Sequence, residues 1–311
     1  MQVFTSYENL PDDVREGVVA IGNFDGVHRG HQVVVNEAGR YAKGDGVPWS
    51  VLTFEPHPRR VFAPDGPPFR LTPADAKARA IENLGVDALI VLTFDKSFSE
   101  RSADSFVHDV LVGGLKAQHV VAGYDFKFGH KRAGNCELLL HKGQEEGFDF
   151  TAVQAHNDED GEVISSTRIR EFLVAGKPRQ AADLLGRPFE IEGEVQHGEE
   201  IGRTMGFPTV NLFMGDYMHP ANGIYAVRVE VNGVSHDGAA SLGYRPTFDG
   251  KDLIFEAHLF DFVGDLYGQN VRVALIEYLR PEKKFDGTDD LKAQIALDCD
   301  QAQKILANFD G

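Results

Sequence analysis

Apolar residues in the first half of the chain fall in short, nearly unbroken runs: "VVAIGNF" from Val18, "WSVLTF" from Trp49, "DALIVLTF" from Asp87, "QHVVAGYDF" from Gln118 and "FDFTAVQA" from Phe148. Runs with no polar alternation suit strands covered on both faces. Between them lie segments of mixed polarity that predict helices: "HQVVVNEAGRYAK", "PADAKARAIENLG" with proline in its first turn, "SADSFVHDVLVG" and "AGNCELLLHKGQEEG". Strict alternation of the two kinds predicts a doubly wound parallel α/β sheet. "SSTRIREFLVAG" predicts one more helix after it.

The pattern changes near "GKPRQAADLLGRPFE". Beyond it come "FEIEGEVQ", "GIYAVRVEV", "GVSHDGAASLG", "LIFEAHLFDF" and "NVRVALIEYL", all strand-like. Asn232-Gly233 between two of these runs is a strong type I′ hairpin signal. An antiparallel β-barrel is expected here. An amphipathic helix closes it, with Leu291, Ile295, Ala302 and Ile305 on one stripe. The chain of 311 residues has room for two domains, 1–185 (α/β) and 186–311 (β).

Composition adds limits. Hydrophobic content of 42% and charged content of 25% are those of a soluble globular protein. Cys136 and Cys299 are far apart and in no metal-ligand spacing, which fits a reducing, cytoplasmic setting. The N-terminus carries no basic, apolar leader, and no apolar run reaches the roughly 18 residues of a membrane span. A net charge of −17 argues against nucleic-acid or anionic-membrane partners. It leaves room for a small phosphate ligand held by backbone N–H groups, histidine and arginine.

The segment "GNFDGVHRGH" follows the first strand and opens the first helix. Gly22, Gly26 and Gly30 let the backbone turn tightly and approach a ligand. His28 and His31, three apart, share one face beside a helix N-terminus, where a phosphate would gain from both the dipole and the imidazoles. That combination suits nucleotidyl transfer, in which charge builds on an α-phosphate. The plain alternative is that the histidines only cap the helix. Farther on, Ser165, Ser166 and Thr167 stand just before the "SSTRIR" helix and suit N-capping. Arg168 and Arg170 in its first turns are on the wrong end for the helix dipole, which points to an anion there.

The second half has its own glycine-rich segment, "GEEIGRTMGFPTVNL", with Gly198, Gly202, Gly206 and Arg203. Thr209 and Asn211 face one side if extended, and their oxygens are hard ligands suited to Mg²⁺. A flexible barrel loop is the plain alternative. In "IFEAHLFDF", Ile254, Glu256, His258 and Phe260 share one strand face. Glu256 is either a solvated surface carboxylate or a base that takes a proton from an attacking hydroxyl.

"GNFDGVHRGHQ", "TFEPHP", "GYDFKFGHKRAGN" and "ISSTRIREFL" together resemble the adenylyltransferase module of bacterial bifunctional riboflavin kinase/FAD synthetases. "GRTMGFPTVNL", "NGIYAVRV", "SLGYRPTF", "EAHLFDFVGDLYG" and "LRPEKKFDGTDDLKAQIALD" are similar to the kinase module, in the family's order. The resemblance covers residues 15 to 308 or so. It implies that His28 and His31 are catalytic and flank the ATP phosphates. Gly22, Phe24, Asp25, Gly26, Gly30, Ser165, Ser166, Thr167 and Arg168 would bind that ATP. Phe54, Pro56, His57, Pro58, Asp125 and Phe126 would lie around the flavin and adenine pockets, although Phe54 and Phe126 equally suit a core at strand ends. In the second half it implies that Gly202, Arg203, Gly206, Thr209 and Asn211 bind Mg-ATP and that Glu256 is the catalytic base. Val210 and Ser241 depart from the family's usual alanine and asparagine; Val210 should point away from the site. The implied substrates are riboflavin, FMN and ATP, with Mg²⁺ as cofactor and FMN and FAD as products; neither nucleic acid nor membrane is expected as a partner, and a weak homo-oligomer is allowed.

Overall fold

The computed structural model describes residues 1–196, 209–247 and 250–309. It forms two compact units. The first holds Met1–Pro67 and Thr72–Ser165, the second Pro68–Leu71 and Ser166–Gly311.

The first unit is a parallel sheet of six strands: β1 (Gln2–Phe4), β2 (Val18–Ile21), β3 (Trp49–Glu55), β4 (Ala88–Thr93), β5 (His119–Gly123) and β6 (Asp149–Val153). Its order is β1-β4-β3-β2-β5-β6. Val18, Ala20, Val51, Leu89 and Val121 pack on one face with Val34, Val35 and Ala38 of helix α1 (Arg29–Asp45). Val19, Ile21, Leu52, Ile90 and Val120 pack on the other. Both faces are covered, which is why these strands read as unbroken apolar runs. From β2 the chain winds one way to β3 and β4, then returns to lay β5 on the opposite side of β2. This reversal opens a crevice at the carboxyl ends of β2 and β5, where ligands bind in open α/β sheets.

Further helices are α2 (Pro58–Phe62), α3 (Ala74–Glu82) and α4 (Lys96–Ser99). The segment predicted as one α-helix from Ser102 differs: α5 (Ala103–Ser105) gives way to a π-helix over Phe106–Gly114. The wider coil is visible at its end, where Leu115 N–H bonds the Val110 carbonyl. Gly114 is needed there, since a Cβ would stand 2.7 Å from the Tyr7 ring. Helix α6 (Cys136–Glu146) precedes β6. Burial raises the pKa of the Cys136 thiol and pushes that of Cys299 to about 11, so both remain protonated near neutrality.

The second unit is a closed antiparallel barrel of β7 (Phe189–Gln196), β8 (Thr209–Phe213), β9 (Gly223–Val231), β10 (Val234–Thr247), β11 (Gly250–Leu259) and β12 (Asn270–Arg280), ordered β10-β11-β8-β7-β12-β9. Ile191, Leu212, Tyr225, Val227, Leu242, Phe255 and Val273 fill its interior. Asn232 and Gly233 both have positive φ, 51° and 79°, as the predicted hairpin requires. Helices α7 (Ser166–Val174) and α8 (Pro178–Leu185) precede the barrel; α8 buries Ala181, Leu184 and Leu185 and packs against β7 and β12. Residues 68–71 also belong here. Arg70 bridges Tyr217, its N–H bonds the Asp216 carbonyl (3.3 Å), and its carbonyl accepts from Met218 N–H (2.8 Å).

Helix α9 (Thr288–Leu306) lies on the outside of β9, β10 and β12, where Ala302 and Leu306 meet Ala226, Ala239 and Ile276. Ala302 is buried as predicted, whereas Leu291, Ile295 and Ile305 are only half-buried. The stripe also holds a carboxylate: Asp298, 4% exposed, accepts two bonds from Arg280 at 2.8 and 2.6 Å and one from Gln294. Removing one member of such a pair strands the other charge. Asp298→Ala is therefore expected to destabilise the second unit by about 3 kcal/mol, read from urea unfolding.

Candidate active sites

The first site begins where β2 ends. Phe24 and Val27 adopt left-handed φ values of 50° and 45°, and Gly26 one of 92°. A β-branched residue in that region is strained, so the turn must be held from outside. Thr72 holds it on one side: its Oγ1 accepts from Gly26 N–H (2.8 Å) and its own N–H donates to Asp25 Oδ1 (3.1 Å). Phe24, Asp25 and His28 are buried, and Gly22 and Gly30 half-buried.

His28 is the N-cap of α1, its Nδ1 accepting from His31 N–H at 3.2 Å. The two imidazoles stack with centroids 3.5 Å apart, and Phe24 meets His31 edge-on at 5.3 Å. The plain capping role is thus real for His28, but capping does not require the second ring. Gly30 keeps the pair in place: a Cβ there would stand 3.2 Å from the His28 ring and 3.4 Å from the Ile164 carbonyl. Gly30→Ala is expected to displace the His28 ring and lower turnover at this site without a gain in stability, which rate measurements and thermal unfolding would show together.

Ser165 ends the first unit and Ser166 opens the second. Ser166 and Thr167 lie inside the first turn of α7 rather than before it. The correction is small, because first-turn N–H groups lack helical partners and tolerate hydroxyl residues. Arg168 stands over the Phe172 ring at 5.8 Å, and Arg170 Nε donates to the Phe69 carbonyl at 2.7 Å.

Phe54 sits in an aromatic cluster with Phe94, Phe98 and Phe106, and Phe126 stacks on Phe128 at 5.6 Å. Both rings therefore serve the core or its edge. Pro56 is exposed, His57 caps α2 by accepting from Arg59 N–H, and Pro58 is its first residue. Asp125 is exposed in the turn after β5, at the carboxyl edge beside the crevice.

Sequence reasoning missed Thr72 and Lys77. Lys77 is 1% exposed; its Nζ lies 2.7 Å from Glu55 Oε1 and donates to Thr53 Oγ1 (3.0 Å), the Phe54 carbonyl (3.3 Å) and the Asn23 carbonyl (3.4 Å).

The second site lies on the outer face of the barrel. Glu256 pairs directly with Asn211 on β8 and with Ser241 on β10, and His258 pairs with Thr209. Directly opposed residues point to the same face. Thr209, Asn211, Ser241, Glu256 and His258 therefore form one half-buried polar patch. Val210 opposes Ala257 and points to the other face, as expected. Ser241 is placed beside the carboxylate itself. Gly198, Gly202, Arg203 and Gly206 lie outside the described residues. Among the described residues no group of three or more His, Cys, Asp or Glu could hold a metal ion.

A glycine–histidine turn at a sheet switch point, followed by a barrel bearing threonine, asparagine and glutamate on one face, is the kind of arrangement that suits a two-unit transferase of nucleotide phosphates. Residues 10–168 match the FAD synthetase family and residues 185–306 the riboflavin kinase family. The chain is 41% identical over 302 residues to the bifunctional riboflavin kinase/FMN adenylyltransferase of Escherichia coli (strain K12), covering 96% of each. It is 37% identical over 305 residues to the protein of that name from Bacillus subtilis (strain 168), again covering 96% of each. The chain belongs to the bifunctional riboflavin kinase/FMN adenylyltransferase family. A crystal structure of a Streptococcus pneumoniae protein described as a macrolide-efflux protein is 32% identical, with a TM-score of 0.87 over 100% of both chains. In the present chain no described helix is long and apolar enough to cross a membrane.

Proposed function

We propose that the chain makes FMN and then FAD at two separate sites. At the barrel, riboflavin's primary hydroxyl attacks the γ-phosphorus of ATP, giving FMN and ADP. At the sheet crevice, an FMN phosphate oxygen attacks the α-phosphorus of a second ATP, giving FAD and pyrophosphate. The observation that carries the reading is the register placing Glu256 opposite Asn211, two pairs along from Thr209 and His258 and so on the same face.

In the first step Glu256 takes the hydroxyl proton as the oxygen attacks. Thr209 and Asn211 offer a hydroxyl and an amide oxygen, a donor set that fits Mg²⁺ with waters completing its shell. Bound there with ATP, the ion would neutralise charge on the phosphates. In the second step the nucleophile is a phosphate monoester, largely a dianion at pH 7, so no strong base is needed. His28, His31 and the turn's N–H groups face the charge that develops on the α-phosphate. The resemblance assigns Ser165, Ser166, Thr167 and Arg168 to ATP binding as well. We place the boundary between the two activities near residue 186. The work is that of a cytoplasmic small-molecule enzyme.

Incubation with riboflavin, ATP and Mg²⁺, with FMN and FAD resolved by chromatography, tests the reading. Both flavins should appear, FMN first. Absence of FMN would refute the barrel assignment, and FMN that never proceeds to FAD would refute the crevice assignment.

A further inference from the structure

A buried ammonium is costly to desolvate unless it is well paired. Lys77 is paired with Glu55, yet neutralising Glu55 accounts for only one of its contacts. One more goes to the Phe54 carbonyl of β3, and two run toward the turn. Its Nζ donates to Thr53 Oγ1, the Thr53 hydroxyl donates to the Asn23 carbonyl at 3.2 Å, and Nζ also reaches that carbonyl. Asn23 is the residue immediately before Phe24, the first strained position. The turn is thus fastened at both ends, by Thr72 on the Asp25-Gly26 side and by Thr53 and Lys77 on the Asn23 side. Strained backbone persists only where its surroundings over-determine it.

We propose that Lys77 is a positioning residue for adenylyl transfer. Acting with Thr53, it fixes the Asn23 carbonyl so that the strained turn holds its N–H groups, His28 and His31 in one geometry toward the nucleotide phosphates. This rests on the first unit being the FMN adenylyltransferase. Glu55 supplies the counter-charge that lets the ammonium be buried, and the bonds to Thr53 and Asn23 carry the positioning.

The test uses the full chain with FMN, ATP and Mg²⁺ supplied, reading FAD and pyrophosphate; riboflavin phosphorylation by the same samples is the internal control. Thr53→Val removes the bridging hydroxyl at nearly constant volume. It should lower kcat for FAD formation by about 100-fold, the scale of a small misplacement of reacting groups, with little change in KM for ATP. Thr53→Ser should restore the rate. Lys77→Met should lose both rate and thermal midpoint, and Lys77→Met with Glu55→Gln should regain the midpoint but not the rate. The proposal is overturned if Thr53→Val keeps a near wild-type kcat, or if the double variant regains rate along with stability, because Lys77 would then merely neutralise Glu55. Wild-type protein that makes FMN but no FAD would instead remove the underlying adenylyltransferase reading.

Discussion

Glu256→Gln is expected to slow riboflavin phosphorylation by about 10²- to 10⁴-fold, the usual worth of a general base. The substitution keeps the size and most of the hydrogen bonding of a side chain set between Asn211 and Ser241, so the barrel should keep its stability. ATP affinity should change little, because Thr209 and Asn211 are untouched. FAD formation from supplied FMN should continue at the wild-type rate, since that chemistry sits in the other unit. A variant that phosphorylates riboflavin within a few-fold of wild type would make Glu256 a surface carboxylate and nothing more.

The complementary experiment removes the imidazoles. His31→Ala should cut FAD formation by about 10²- to 10³-fold, the cost of losing one preorganised donor to a developing charge. His28 needs a gentler change because it also caps α1. His28→Asn retains a strong N-cap acceptor, whereas alanine there would cost about 1 kcal/mol of stability and blur the result. FMN formation by both variants should be unaffected. A parallel fall in the two activities of folded protein would contradict the division of labour.

The sequence disclosed the parts of the fold whose residues answer to a single environment. The runs in β2 to β6 are apolar because both faces are covered, and Asn232-Gly233 has few uses other than a tight hairpin. Strand β1 escaped notice because three residues carry no period. Helix α8 is masked by the change of pattern in which "PRQAADLL" sits, although Pro178 at its start, Gly186 at its end and apolar residues at 181, 184 and 185 are helix signals. The π-helix reads as an ordinary helix, because nine residues of mixed polarity carry no period that tells the two apart. In the sites, the glycine–histidine turn and the alternation of Thr209, Asn211, Glu256 and His258 were legible, while cross-strand register had to come from the fold. Lys77 could not be found by pattern. Between Asp75 and Arg79 on a short helix it looks like part of a solvated face, and only the tertiary structure turns it inward.

The placement of Pro68–Leu71 with the barrel bears on how such a chain could be assembled or rearranged. The ribosome releases these four residues well before the segment they bond to, so that strip of the second unit must wait for Asp216–Met218 to emerge. The same order constrains recombination between genes. One crossover after residue 165 would exchange a barrel without the strip that its Tyr217 bridges, leaving the recipient's own Phe69 and Arg70 to fill the place. Because the bonds at 70 and 216–218 run between main-chain groups, such an exchange would keep the pairing whatever the side chains, provided both segments keep their length.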